Sequence, residues 1–125
     1  MKLNSCLYLR TDGQLPHVTP EDLAQHSDGL ICLSGGPDGV VGRLIRDGLL
    51  TRAQALMQTF AALFPDRLYV ELQRHPGEGG ALTEAEQATE RPFVEMAYAM
   101  GLPLVATNDV HFPDATMYEA HDALL

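Results

Sequence analysis

The sequence predicts an α/β protein in which parallel strands are joined by crossover helices. Short, continuous apolar runs lie at residues 29–34, 68–72 and 104–108, and segments with helical spacing separate them. Runs of this kind are typical of parallel strands that are buried on both faces. Strands that alternate with helices favour a parallel sheet with right-handed crossovers.

The chain is expected to enter this unit through a loop or irregular segment over residues 1–18, where residues 7–9 could form a short strand. A first helix follows. Thr19 is suited to its N-cap, Pro20 to its first helical position, and acidic residues to its first turn. This helix is expected to end near Ser27, just before the first strand.

Two helices are predicted between the first two strands, because apolar residues recur near the helical period over residues 40–46 and 52–64. Pro65 and Asp66 then close the second of these helices and lead into the next strand.

A long helix is predicted between the second and third strands. Thr83 and Glu86 have the spacing of a capping box, and the pattern continues to residue 100. Pro92 lies inside this pattern and is expected to kink or divide the helix. After the third strand, Asp114 is suited to cap a last helix that runs to residue 125.

Three short strands make a poor complete fold, because both sheet edges would be open and the buried-type strands would lack neighbours. We therefore expect residues 1–125 to form a single unit that is a segment of a larger barrel or sheet.

Composition limits the function classes. The chain has 125 residues, 8 Lys and Arg against 17 Asp and Glu, and a net charge of -9. Such a surface argues against a phosphate-gripping nucleic-acid module. No apolar run approaches the roughly 20 residues that cross a bilayer, so we expect a soluble, cytoplasmic protein without a membrane partner. Cys6 and Cys32 lie far apart and are expected to be free thiols.

The residues that could carry chemistry lie where predicted strands end. Glu71, Gln73 and His75 alternate along the end of the second strand, and Asp109 and His111 follow the third. Side chains two residues apart project to the same side of an extended segment, and parallel strands end at one edge. Together these groups could bind zinc, manganese or iron and activate water against a phosphoester. The alternative is a hydrogen-bonded loop histidine beside a solvated acid.

Other motifs are weaker evidence for a functional site. Ser34 lacks the Gly-x-Ser-x-Gly context of a nucleophile turn, and residues 35–39 lack the lysine of a phosphate-binding loop. A turn-capping hydroxyl and a simple strand-to-helix turn are the favoured interpretations. His121, on the last predicted helix, favours packing over ligation.

Four ordered blocks together resemble the later part of a known domain. They begin at residues 29, 64, 101 and 119 and read GLICLSGG, FPDRLYVELQRH, GLPLVATNDVHF and EAHDALL. From about Thr19 to the end, the chain resembles the PHP (polymerase and histidinol phosphatase) domain of bacterial replicative DNA polymerase III alpha subunits.

The resemblance implies a distorted (β/α)7 barrel with a divalent metal site, for zinc, manganese or magnesium, at its carboxyl-end face. Asp109 and His111 match the last Asp-x-His metal motif of the family. The family's earlier His-x-His ligands have no counterpart here, and Gly36 stands where members with an intact site often carry cysteine. Glu71 and His75 match a stretch that the family often shows as Glu-x-Gln-x-His, for which the resemblance leaves open direct ligation and a supporting role, either behind the ligands or in packing.

The expected function is thus that of a PHP-domain fragment in a DNA-directed DNA polymerase, a nucleotidyltransferase of DNA replication. The fragment itself would be an inactive docking platform with a vestigial metal site and no catalytic residue. Its implied partners are the rest of the alpha subunit and a proofreading exonuclease subunit, while DNA would be bound by other domains. Open sheet edges could drive self-association. The alternatives are a metal-dependent phosphoesterase or 3′–5′ exonuclease of the superfamily, and a metal-free scaffold.

Overall fold

The computed structural model describes residues 2–9, 16–75, 81–108, 110–111 and 113–123. Within them, six α-helices, three strands and one 3-10 turn follow each other along the chain. Their order is α1 (Lys2–Leu9), α2 (Pro20–His26), β1 (Cys32–Leu33), α3 (Val40–Arg46), α4 (Leu50–Leu63), β2 (Leu68–Gln73), α5 (Glu84–Met100), β3 (Leu104–Thr107), the 3-10 turn (Ala115–Met117) and α6 (Tyr118–Asp122).

The three strands form one parallel sheet in the order β1-β2-β3, which confirms the predicted α/β class. Cys32 is paired with Leu68 at the β1–β2 junction, and Val70 is paired with Leu104 at the β2–β3 junction. Helices α3 and α4 connect β1 to β2, and α5 connects β2 to β3. All three strands therefore end at the same edge.

The core lies between one face of the sheet and the helices. Side chains alternate along β2, so Leu68 and Val70 point to the same side, where they join the buried cluster. Burial of this apolar surface is the main favourable term in folding. The cluster consists of Val41, Ile45, Ala53, Met57, Phe64, Leu68, Val70, Phe93, Met96 and Ala97.

The predicted helix starts at Thr19 and Thr83 are confirmed. Each threonine hydroxyl accepts the N–H of the third helical residue, and the carboxylate of that residue accepts the threonine N–H in return. Helix α5 ends at Gly101, whose φ of 64° is the left-handed conformation that glycine adopts without a Cβ penalty.

The interpretation of residues 1–18 as irregular, with a possible strand at residues 7–9, is wrong for residues 2–9, whereas residues 16–18 have neither helix nor strand. Lys2–Leu9 forms helix α1, which packs against α2. A three-residue apolar run is compatible with either element, and here the contact with a neighbouring helix decides. Residues 10–15 lie outside the described residues.

The first strand is shorter and more exposed than predicted. Only Cys32 and Leu33 have strand geometry, and Ile31 and Leu33 are 67% and 45% exposed. Burial on both faces is therefore wrong for this strand. The helices cover one face of the described sheet. The side chains of Ile31 and Leu33 lie outside the covered area, so the burial that their apolar character predicted does not occur.

Helix α5 runs from Glu84 to Met100 as one element, so of the two predicted effects of Pro92, a kink or a division, the division is wrong. Proline removes one backbone hydrogen bond, but buried side chains lie on both sides of this point, Thr89 before it and Phe93 and Met96 after it. After β3, the chain forms the 3-10 turn and then α6, which begins at Tyr118 rather than beside Asp114.

Among the residues that the structure describes, no helix is long and apolar enough to cross a bilayer.

Candidate functional site

A concave cleft of about 370 Å³ lies at the carboxyl edge of the sheet. This is the place where parallel α/β folds usually hold their reactive groups, because loops from several strands meet there. The turn after β1, the end of β2, the first turn of α5 and the segment after β3 all contribute to it. Its lining includes Pro37, Asp38, Gln73, His75, Glu86 and His111.

Glu71 lies beside this cleft on the sheet face opposite the helices. The residue is 8% exposed, and its Oε1 accepts the hydroxyl of Thr107 at 2.5 Å and the side-chain amide of Gln73 at 3.4 Å. A buried carboxylate needs such donors, because burial without them is costly. This contact confirms the prediction that the side chains of Glu71 and Gln73 project to the same side of β2.

Ser34 supports Glu71 from β1's side of the sheet. Its buried hydroxyl accepts the backbone N–H of Glu71 at 2.9 Å and donates to the carbonyl of Gly35 at 3.4 Å. Both contacts are structural, in agreement with the interpretation of this residue as a hydroxyl that caps a turn.

His75 leaves the strand and binds a different set of groups. Its backbone N–H donates to Oε1 of Glu86 at 2.6 Å. Its ring Nδ1 lies 3.0 Å from the same oxygen, and its Nε2 lies 2.8 Å from the carbonyl oxygen of Asn108. Both ring nitrogens thus face oxygen atoms, and a ring protonated on both nitrogens donates to both. The imidazole bridges the first turn of α5 and the end of β3.

Glu86 is the acidic centre of this bridge. Its side chain is 3% exposed, and the backbone N–H of Thr83 is the largest cause that lowers its pKa, to about 2. Desolvation by burial acts in the opposite direction, and the backbone N–H of His75 adds to the lowering. Glu86 is therefore an ionised carboxylate at neutral pH, held by the capping box and by His75.

The predicted pair after β3 is described only in part. Asp109 lies outside the described residues. His111 lines the cleft together with His75, and its ring centroid is 5.3 Å from that of His121 on α6, with the rings tilted by 40°. The structure thus places His75 and His111 at one edge, while their metal-binding role stays a prediction.

The described residues do not fit a bound metal ion. No group of three or more His, Cys, Asp or Glu side chains in this part of the chain is arranged to hold one. Glu71 accepts two side-chain donors, and both ring nitrogens of His75 contact oxygen atoms. A Cβ at Gly36 would lie 2.0 Å from Oε1 of Gln73, so Gln73 fills the space beside Gly36.

Four groups at this edge were not identified as site residues from the sequence. They are the side chains of Gln73, Thr107 and Glu86 and the carbonyl of Asn108. The period of two in β2 places Gln73 beside Glu71, so that signal was available. Glu86 was recognised only as a capping residue, because its contact with His75 joins elements that are 11 residues apart in sequence.

Comparison with known proteins decides the family. A family model described as PHP domain matches residues 1–75. The chain belongs to the PHP domain family. The match begins at residue 1, well before Thr19, where the resemblance of the sequence blocks starts.

Curated relatives of this PHP-domain chain are similar over 82% to 99% of its length. The DNA polymerase III subunit alpha of Caulobacter vibrioides is 46% identical over 99% of the chain. The subunit of the same name in Escherichia coli is 38% identical over 96%. An error-prone DNA polymerase of Symbiobacterium thermophilum is 40% identical over 82%. The chain spans about a tenth of each relative, with 10%, 10% and 9% covered.

Proposed function

We propose that this PHP-domain chain is part of a DNA polymerase III alpha subunit, in which it acts as a structural and docking platform during DNA replication. The observation that carries this proposal is the similarity of the chain, from end to end, to relatives with that name. Nucleotidyl transfer then belongs to regions outside these 125 residues. The complete domain is a distorted (β/α)7 barrel in a cytoplasmic protein.

The geometry of the cleft supports a platform rather than a catalytic centre. Glu71, His75 and Glu86 are engaged with protein donors and acceptors, and they join β2, β3 and α5 to one another. Such contacts rigidify an edge and favour a fixed surface. We propose that this surface is fixed against the rest of the alpha subunit and a proofreading exonuclease subunit, while other domains bind DNA.

For the metal site, we propose that Asp109 and His111 are the residues left from a divalent site for zinc, manganese or magnesium. Glu71 and His75 act behind them, by orienting the strand ends rather than by ligation. The net charge of -9 is compatible with such a site but is explained equally well by solubility.

Primer extension by the full-length gene product that contains this chain tests the polymerase role. We expect nucleotide incorporation by the full-length protein and none by the 125-residue chain. Phe93→Ala leaves a cavity in the core against which α5 packs. We expect the polymerase activity of this variant to be lost faster than that of the wild type on heating. Tyr98→Ala, on the exposed side of the same helix, serves as the matched control. A full-length product without primer extension would contradict the proposal.

Metal analysis of the same full-length protein tests the site residues. Bound zinc or manganese that is lost in Asp109→Asn and His111→Ala supports ligation by these two residues. A protein that is free of metal in the wild type and in both variants supports the metal-free scaffold. Turnover of a phosphodiester substrate by the 125-residue chain would favour the metal-dependent phosphoesterase instead.

A further inference from the structure

We propose that Gln73 and Thr107, and not a metal ion, are the resident partners of the buried Glu71 carboxylate, and that Gly36 is the residue that makes room for Gln73. Nothing in this proposal depends on a polymerase role. It concerns the same sheet edge at which members of a metal-dependent family would hold an ion.

The register of the sheet brings the partners together. Gln73 is paired with Thr107 across β2 and β3, and Glu71 precedes Gln73 by two residues on the same side of β2. Nε2 of Gln73 lies 3.4 Å from Oε1 of Glu71 and 3.4 Å from Oγ1 of Thr107. The amide therefore sits between a carboxylate and a hydroxyl, where its two N–H groups can donate to both.

This arrangement satisfies Glu71 with neutral donors. Thr107 donates a short hydrogen bond of 2.5 Å to Oε1, and Gln73 donates to the same atom. Among the described residues, no buried side-chain oxygen or nitrogen lacks a hydrogen-bond partner. Oε1 of Glu71 thus has its polar contacts from neutral protein groups and does not depend on a cation for them.

Gly36 is required by space rather than by backbone conformation. Its φ is not among the positive values of the described glycines, yet an added Cβ would lie 2.0 Å from Oε1 and 2.4 Å from Cδ of Gln73. The backbone at Gly36 is held from the other side. Its carbonyl accepts the N–H of Gly39 at 3.0 Å and would lie 2.4 Å from a Cβ at Gly42 on α3. The backbone of this turn has no room to move away from Gln73, so a side chain at position 36 would displace Gln73.

A double-mutant cycle on the 125-residue chain tests the pairing of Gly36 with Gln73 by thermal unfolding. Gly36→Ala is expected to lower the midpoint by about 4 °C, the shift that loss of one hydrogen bond produces in a domain of this size. In the Gln73→Ala background, the same substitution is expected to lower the midpoint by less than about half of that, because the side chain it displaces is gone.

Gly42→Ala is the control for this cycle. Its Cβ would meet the backbone carbonyls of Gly36 and Pro37 rather than a side chain. Its effect is therefore expected to be the same with Gln73 or alanine at position 73. Equal effects of Gly36→Ala in the two backgrounds would overturn the proposal, including the case in which both proteins fail to fold.

A metal titration keeps the proposal testable without any glycine variant. Zinc chloride or manganese chloride at millimolar concentration is added to the wild-type chain and to Glu71→Gln, and the midpoints are compared. We expect no rise that depends on Glu71. A rise in the wild type that Glu71→Gln abolishes would identify an ion as the partner and overturn the proposal. A rise in the midpoint that persists in Glu71→Gln places the ion elsewhere. Gln73 and Thr107 then remain the partners of the Glu71 carboxylate.

Discussion

At the scale of single residues, the carboxylate of Glu86 connects the start of helix α5 with the segment after β2. Oε2 of Glu86 accepts the N–H of Thr83 at 2.8 Å, and its Oε1 accepts the N–H of His75 at 2.6 Å. The first contact starts a helix, while the second fixes the segment after β2. Hydrogen bonds to an ionised group are stronger than neutral ones, so both functions depend on the charge of Glu86.

Glu86 should make stability depend on pH in the acid range. Its pKa of about 2 in the folded protein is below the ordinary value of 4.5, so the unfolded chain binds the proton more readily. Its contribution is complete above the ordinary value and is lost as the pH falls from about 5 to about 2. We expect urea unfolding of Glu86→Gln to show a shallower loss of stability in this window than the wild type.

The control for this measurement is Glu84→Gln. Glu84 lies on the first turn of the same helix, and its side chain is exposed to solvent. This variant is expected to keep the wild-type slope against pH. Equal slopes for wild type and Glu86→Gln would show that the charge of Glu86 does not stabilise the fold.

At the scale of elements, α5 is the helix that unites core and cleft. Its first turn provides Glu86 to the cleft, and its middle provides Phe93 to the core. A bidentate ion pair from Arg74 to Glu90, with contacts of 2.8 and 2.6 Å, adds a further link to the segment after β2. This guanidinium lowers the pKa of Glu90 chiefly by hydrogen bonding. Because the pair is partly exposed, we expect it to orient more than stabilise.

Phe93→Ala should reveal how far the fold depends on α5. The ring is 1% exposed, and truncation of a buried phenylalanine typically costs about 3–5 kcal/mol through lost transfer energy and a cavity. Urea unfolding of the 125-residue chain measures the loss. Tyr98→Ala, an aromatic truncation on the same helix at a site that is 78% exposed, is expected to stay within about 0.5 kcal/mol of the wild type. Similar losses for the two variants would contradict this assignment of the core.

At the scale of the whole molecule, the helices cover only one face of the described sheet. The helices pack against Leu68 and Val70, whereas Ile31 and Leu33 are exposed on β1's side. Within the described residues, β1 and β3 are the outer strands. Outer strands with exposed apolar side chains are prone to pair with another chain.

We therefore expect the 125-residue chain to self-associate at micromolar concentration, as measured by light scattering. Leu33→Thr introduces a β-branched residue, which suits a strand, while it removes apolar surface, and it is expected to shift the population toward monomer. Tyr98→Ser removes an exposed apolar side chain from a helix and should leave the distribution unchanged. A monomeric wild type at this concentration would contradict the prediction.

Local patterns were sufficient for most elements of the fold. The N-caps Thr19 and Thr83, α3, the three strand positions and their parallel orientation follow from residues that are close in sequence. They are determined locally because a cap needs only the next turn of the helix, and alternating strands and helices leave few topologies. Helix α1 was not predicted, since its short apolar run fits two elements and a contact with α2 decides between them.

The sequence by itself determined the α/β class, the edge at which Glu71 and His75 lie, and the resemblance to the PHP family. Only the tertiary structure decided what these residues touch. Glu71 meets Thr107, and His75 meets Asn108, across sequence separations of 36 and 33 residues. Such contacts depend on the register between β2 and β3, and no local pattern specifies that register. This register also brings a neutral amide and a hydroxyl to the carboxylate that its position at the strand end had suggested as a metal ligand.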